Sequence, residues 1–360
     1  MIMSEKGKQH VDSCRFCWMC HHICPVGNAT GQERNTARAR ALGISLVNRE
    51  AIELSEIMDN IFECACCGAC TKECVTGWDP VMFTKETRLN AAMEDKLPDY
   101  INVLVDNCLN VGNAYGITEI DADLKKAIAA HSAKADVLLF LGVDARYKAP
   151  AAAINAIKVL EKAGVNFTVL ENEPASGAQL EYLISAAGET KEQMVNCAKE
   201  LNNYATVVAF DPQDAKVLKR EYKEWDIALN AEVKTFTAFV AGLLKDGSLK
   251  AENSGKKVVF QDPFQLSRDL GETEEAREII SAYAVLEEML CNRKDTMWAG
   301  NVLMAQWIPD VMNRVAEDRM NNAKGVNADT IVTASVSEYI SLKAVEKDVK
   351  VISIEELILG

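Results

Sequence analysis

The chain has 360 residues, of which 49% are apolar, 26% charged and 6% aromatic, enough for a small N-terminal module and one or two ordinary globular domains. Its net charge of −14 argues against nucleic acid as a partner and favours docking to a basic protein face. The opening segment MIMSEKGKQHVDSC lacks the apolar core of a signal peptide, and the longest apolar stretches, such as VLLFLGV (137–143), are strand-sized. These features lead us to expect a cytoplasmic protein without a transmembrane segment, where dense cysteines serve as metal ligands rather than disulfides.

The first element is a cysteine run. Cys14, Cys17, Cys20 and Cys24 are spaced x2, x2, x3 and followed by Pro25. Cys64, Cys67, Cys70 and Cys74 repeat that spacing, with Val75 in the proline position. This is the C-x2-C-x2-C-x3-C run of two-cluster bacterial ferredoxins, in which a tight loop delivers three thiolates to one cubane and the fourth cysteine serves the other. The spacing assigns Cys14, Cys17, Cys20 and Cys74 to one [4Fe–4S] cluster, and Cys64, Cys67, Cys70 and Cys24 to the second. Cys66 is a spare that could replace Cys67, although it breaks the x2 rhythm.

Zinc sites take four ligands, usually as two well-separated pairs, and two identical four-cysteine runs do not look like that. Cys17-Trp18-Met19-Cys20-His21 also reads as a C-x-x-C-H haem attachment motif, but it lies inside the longer run and no export signal accompanies it. Cys108, Cys197 and Cys291 are scattered singly; the last two stand in helix-like context, where a cysteine acts as a small apolar residue.

Helices are expected around both runs. GNATGQERNTARARAL carries Arg34, Arg38 and Arg40, which either form an exposed face or offset the charge of a reduced cluster. Residues 45–63 read as one helix that brings the two loops side by side. Asp79-Pro80 caps a third helix, DPVMFTKETRLNAAMED.

Beyond residue 116 strands alternate with helices, as in a parallel sheet covered on both faces. Strands are expected at 135–143, 165–171 and 205–211, with helices at 149–164, over GAQLEYLISAAG and TKEQMVNCAKELNNY, and after Pro212. The order recurs about 120 residues later. Residues 255–263 answer 135–143, and 274–285 answer 149–164. Residues 328–335 with the following helix answer 205–219, and 349–358 answer 233–244. The fold class is therefore α+β overall: an N-terminal α-helical, ferredoxin-like two-cluster module, then a duplicated α/β lobe with parallel sheets. The expected divisions are 1–116, 117–250 and 251–360.

Over about 340 residues the chain resembles iron–sulfur subunits built from a two-cluster ferredoxin module and two CCG-type domains. These are heterodisulfide reductase D-type, anaerobic glycerol-3-phosphate dehydrogenase C and glycolate oxidase iron–sulfur subunits. GNAYG (112–116) resembles their G-N-P-x-G connector, and VVFQDPFQLSRDLG (258–271) their H-D-P-C-h-x-x-R stretch. The resemblance implies cysteines in each CCG repeat, and this chain lacks them. Val143, Ala175-Ser176-Gly177 and Asp211-Pro212-Gln213-Asp214 stand at those places in the first repeat. Gln261, Phe264, Trp298-Ala299-Gly300 and Ser335-Val336-Ser337-Glu338 stand there in the second. By resemblance, the chain is an electron-transfer subunit working with an FAD-linked dehydrogenase acting on a hydroxyacid or polyol, the FAD being held by that partner, and with a second redox partner. The chain alone is expected to lack a substrate-converting site. Two other readings remain open: a heterodisulfide-reductase-like catalytic subunit using the C-terminal pocket, through Gln261, Asp211, Asp214 or Trp298, and an interaction scaffold with structural clusters.

Overall fold

The computed structural model describes residues 3–14 and 17–360. The N-terminal part is helical: α1 (Glu5–Asp12), α2 (Met19–Ile23), α3 (Pro25–Thr30), α4 (Ala37–Asn48), α5 (Met58–Phe62), α6 (Ala69–Glu73), α7 (Pro80–Met93) and α8 (Asp99–Val111). Asp79 caps α7, its side chain accepting from Val81 N and Met82 N, with Pro80 at the first helical position, as the sequence implies.

Two expected helices are divided. The stretch after Cys24 breaks at Gly31 (φ 65°), where the left-handed conformation ends α3, and resumes as α4. The single helix expected over 45–63 does not form. Glu50 is left-handed (φ 58°), and a capping box between Glu53 and Glu56 starts a new turn leading into α5.

The remainder is α/β. Following α9 (Ala122–Ala130) come β1 (Val137–Phe140), α10 (Val143–Lys148), α11 (Pro150–Lys162), β2 (Phe167–Thr168), α12 (Ala178–Ile184), α13 (Gly188–Leu201) and β3 (Thr206–Ala209). Next are α14 (Pro212–Lys216), continued by a π-turn over 217–221 into α15 (Tyr222–Glu224), then β4 (Glu232–Thr235) and α16 (Phe236–Lys245). The second set is β5 (Lys257–Gln261), a π-turn over Gln265–Leu270, α17 (Glu275–Tyr283), β6 (Val285–Glu287), α18 (Pro309–Gly325), β7 (Thr330–Thr333), α19 (Val336–Ala344), β8 (Lys350–Ser353) and α20 (Ile354–Leu359).

These strands make two parallel four-stranded sheets, ordered β2-β1-β3-β4 and β6-β5-β7-β8. The orders correspond strand for strand, so the repeat read from the sequence is a repeat of topology. The inner strands are continuous apolar runs because helices cover both faces. One core runs between the sheets, from Leu139, Ile157 and Val208 to Phe260, Ile280 and Ile354. Another joins the helical part to the lobe, with Ile44, Phe62, Phe83 and Ile101 packed in one cluster with Leu180, Leu183, Trp298 and Leu303. That second core fixes the cysteine loops against the α/β lobe. Among the described residues, no helix is long and apolar enough to cross a membrane.

Candidate iron–sulfur site

The two cysteine loops have the same local conformation. In each, the residue after the second cysteine of the run is left-handed: Trp18 (φ 68°) in the first loop and Gly68 (φ 72°) in the second. Each then enters a five-residue helix, α2 or α6, and ends at an extended cysteine, Cys24 (φ −74°, ψ 111°) or Cys74 (φ −74°, ψ 114°). The helices α2 and α6 pack together, so each terminal cysteine is carried across to the other loop.

Two thiol-lined cavities result. Cys14, Cys17, Cys20 and Cys74 line one of about 360 Å³, beside Trp18, Met19 and Arg38. Cys24, Cys64, Cys66, Cys67 and Cys70 line the other, of about 370 Å³, beside Arg40. Both candidates for the ambiguous position, Cys66 and Cys67, therefore reach the same cavity; Cys66 does so from a left-handed backbone (φ 50°). Arg15 and Phe16, within the first loop, lie outside the described residues.

The donor sets suit cubanes. Each cavity is lined by at least four sulfurs, and none of the lining residues is a histidine or carboxylate. Among the described residues, no three His, Cys, Asp or Glu side chains converge as a single metal ion requires. A cubane is held at four separate irons and accepts the wider spread. Backbone and side-chain groups already point at the sulfurs: Gly27 N donates to Cys24 Sγ at 3.4 Å, Cys66 N to Cys64 Sγ at 3.4 Å, and Thr76 Oγ1 lies 3.2 Å from Cys74 Sγ.

The surroundings differ. The first cavity faces solvent, with Cys17 exposed and Trp18 and Met19 exposed at 45% and 43%; the Arg38 guanidinium lies 3.9 Å above the Trp18 ring. The second sits deeper, with Cys67 buried and Cys24, Cys64, Cys66 and Cys70 half-buried. Burial pushes the Cys67 thiol up to about 11, against the opposing charge of Arg268. Arg40, buried beside it, donates Nε to Asn60 O at 3.0 Å and Nη2 to Asn35 O at 2.7 Å. Arg88 donates to the carbonyls of Tyr182 (2.6 Å), Ile61 (3.0 Å) and Cys64 (2.8 Å). From the α/β lobe, Tyr182 Oη donates to Cys64 O at 2.7 Å and Arg268 Nε to Cys67 O at 2.7 Å. The three arginines of the first post-run helix thus part company: Arg38 and Arg40 line the cavities, while Arg34 is half-exposed and pairs with Glu63. Sequence reasoning missed Arg88 and Arg268; the latter stands in the 258–271 stretch, which was the available signal.

The lobe positions where the resemblance would place cysteines also gather by repeat. Val143, Ala175, Ser176, Asp211, Gln213 and Asp214 line a cavity of about 330 Å³. It opens beyond the carboxyl ends of β1 and β3, where the strand order reverses, a usual place for ligands in parallel sheets. Asp144 is held by Tyr115 Oη (2.6 Å) and Asp214 by Ser176 Oγ, while Asp211 accepts from Gln213 N through Oδ1 and its buried Oδ2 has no partner. Burial, and then the Asp144 charge, raise Asp211 to about 7. In the second repeat the corresponding side chains satisfy one another: Gln261 Nε2 donates to Glu338 at 3.1 Å, Arg319 Nε to Gln261 Oε1, and Val302 N to Ser337 Oγ at 2.9 Å. Gly177 (φ 88°) and Gly300 (φ 114°) match, since a Cβ at either would lie 2.7 Å from a neighbouring side chain. Trp298 is buried in the core shared with the helical part. Of the single cysteines, Cys108 and Cys197 are buried in α8 and α13, whereas Cys291 is not helical but left-handed (φ 59°) in the bend after β6.

Residues 10–78 match the family model described as a 4Fe-4S dicluster domain. The chain is 28% identical to the D-type subunit of the dihydromethanophenazine:CoB–CoM heterodisulfide reductase of Methanosarcina acetivorans, covering 90% of this chain and 86% of that protein. It is 26% identical to the corresponding protein of Methanosarcina mazei, covering 89% and 85%. An uncharacterized iron–sulfur protein of Methanocaldococcus jannaschii is 23% identical, with 98% and 74% covered. The matched domain and its two cysteine sets imply two [4Fe–4S] clusters. The chain is an iron–sulfur protein with a 4Fe-4S dicluster domain, distantly related over most of its length to the D-type subunit of heterodisulfide reductase.

Proposed function

We propose that this chain is the electron-transfer subunit of an oxidoreductase complex, with Cys14, Cys17, Cys20 and Cys74 as ligands of one cluster and Cys64, Cys67, Cys70 and Cys24 as ligands of the other. The observation that carries the reading is the crossed cage: each cavity is lined by the thiols of one loop, three in the first and four in the second, together with the terminal cysteine of the other loop. Cys67 is preferred to Cys66 because it matches Cys17, each preceding a left-handed residue and a five-residue helix. When bound, the clusters supply one-electron transfer.

The protein's own part is to hold them close and to treat them differently. Packing of α2 on α6 keeps the cages adjacent, the first near solvent and the second under the lobe. The exposed cage is where a partner would exchange electrons. One-electron clusters serve a two-electron donor best when a flavin lies between; by the resemblance given above, the expected partner is an FAD-linked dehydrogenase of a hydroxyacid or polyol. In this reading the helical module (1–116) carries the chemistry. The degenerate CCG-type repeats (117–250 and 251–360) form a docking scaffold, because no thiol stands at any of the repeat positions named above. The complex is placed in the cytoplasm.

Potentiometric titration of the anaerobic full-length chain tests this. Two reversible one-electron reductions are expected, together with co-purification of a flavoprotein. Redox-silent clusters would make them structural, and turnover of a disulfide by the isolated chain would make the lobe catalytic.

A further inference from the structure

Arg268 lies in the π-turn after β5, 201 residues along the chain from the loop it touches. Its Nε donates to Cys67 O at 2.7 Å. Its Nη1 donates to Thr296 O at 2.7 Å and Lys294 O at 3.2 Å. The loop carrying those two carbonyls is itself fastened to α6 by the Lys72–Asp295 ion pair. Three carbonyls therefore fix the plane of the guanidinium.

Nη2 is buried and has no hydrogen-bond partner. The planar guanidinium presents five N–H donors as a rigid fork. Nη2 shares an edge with Nε, so one of its two N–H groups runs parallel to the Nε–H and faces the Cys67 side. A charged donor left unpaired in the interior is costly. Such a group is understandable where the missing acceptor is one that protein atoms do not supply. Arg268 does not itself line the second cavity, but Cys67, whose carbonyl it holds, walls it with the thiols of Cys24, Cys64, Cys66 and Cys70, and the acceptor on that side is sulfur carrying negative charge.

We propose that Arg268 sets the reduction potential of the cluster at the second cavity, donating through Nη2 to its sulfur shell from the α/β lobe. Reduction adds one electron and makes the cluster more negative. A fixed cationic donor stabilises that form and raises the potential. The lobe then does more than dock: its own fold holds the group that decides how readily the deeper cluster accepts an electron. The inference rests on the assignment of a cluster to this cavity, and wild-type protein tests that assignment separately by showing two reducible signals.

The experiment is an EPR-monitored potentiometric titration of full-length R268Q and R268K, prepared anaerobically and reduced with dithionite, with iron content measured in parallel. In R268Q one midpoint should fall by at least a tenfold change in its reduction equilibrium, about 59 mV for one electron, while the other stays in place. R268K keeps the charge without the fork and should fall by less. Full iron with unchanged midpoints in either variant, or equal shifts of both clusters, overturns the proposal. Iron loss in both variants also overturns it, marking the arginine as a structural clamp.

Discussion

Replacing Arg88 with methionine probes the deeper cage from the opposite side. Arg88 is fully buried in α7, and its guanidinium lies 4.9 Å from the Phe62 ring centre and 4.5 Å from that of Tyr182. It holds three carbonyls, including that of Cys64, the first cysteine of the second run. Hydrogen bonds to a charged donor are worth about 1.5–3 kcal/mol each. They are not additive here, and the methionine recovers apolar contact with both rings. The loss expected for R88M is about 3–5 kcal/mol, since each neutral carbonyl that loses its charged donor costs about 1–3 kcal/mol and removing the guanidinium also removes its own burial cost. Cys64 O would keep only its bond from Tyr182 Oη, so the second cage should loosen, and iron should fall by about half while the first cluster persists. R88K keeps the charge but cannot present the same fork, and should lie between. Anaerobic urea titration gives the stability and chemical analysis the iron. R88M with full iron and stability within about 1 kcal/mol of wild type would show that the arginine does not organise this loop.

C66S should retain both clusters and C67S should lose the second; iron analysis of the two variants decides, and the opposite outcome would exchange their roles. Stability should respond to pH in two windows. Burial alone would raise Glu181, but Lys216 and Lys85 outweigh it and bring it to about 2, so its contribution is complete above the ordinary glutamate range and disappears as pH falls through about 2. Burial raises Glu338 and Glu355 to about 8, so these favour folding most below the ordinary range and lose that contribution as pH rises through 8, by up to about 1.4 kcal/mol per pH unit for each group. Denaturation between pH 5 and 9 should show this decline, and E338Q should flatten it; an unchanged slope in E338Q would contradict the assignment. G31A meets no atom within 4 Å and should cost only the left-handed backbone term, about 1–2 kcal/mol. G177A should cost more, because its Cβ would lie 2.7 Å from Met194 Cγ; thermal melts showing equal losses would contradict the packing argument.

The cysteine runs were legible because ligand spacing is local chemistry, and the repeat was legible because buried parallel strands are continuous apolar stretches. The strands at 137–140, 206–209, 257–261 and 330–333 fall where the sequence puts them. The helix boundaries around the clusters were less legible. Glu50 and Gly31 turn left-handed, and neither interruption has a proline to announce it. Between 286 and 327 the sequence pattern suggested no element, and α18, one of the longest helices, went unrecognised although Pro309 opens it. Its mixed polar and apolar face acquires meaning only against α3, α19 and β7, with Met312 and Val315 in the core shared with the helical part. The contacts of Arg88 and Arg268 with the cysteine loops span 24 and 201 residues. Neither could be read from spacing, because the acceptors are backbone carbonyls that carry no sequence signature.

Mössbauer spectroscopy of anaerobically purified, iron-57-enriched full-length chain, with protein-based iron and sulfide analysis, addresses the crossed cages most directly. The account predicts eight irons and eight sulfides per chain in two [4Fe–4S] clusters, with only the exposed-cage cluster missing from C74S and only the deeper one from C24S. A single cluster, a zinc complement, or loss of the same cluster from both variants would contradict it.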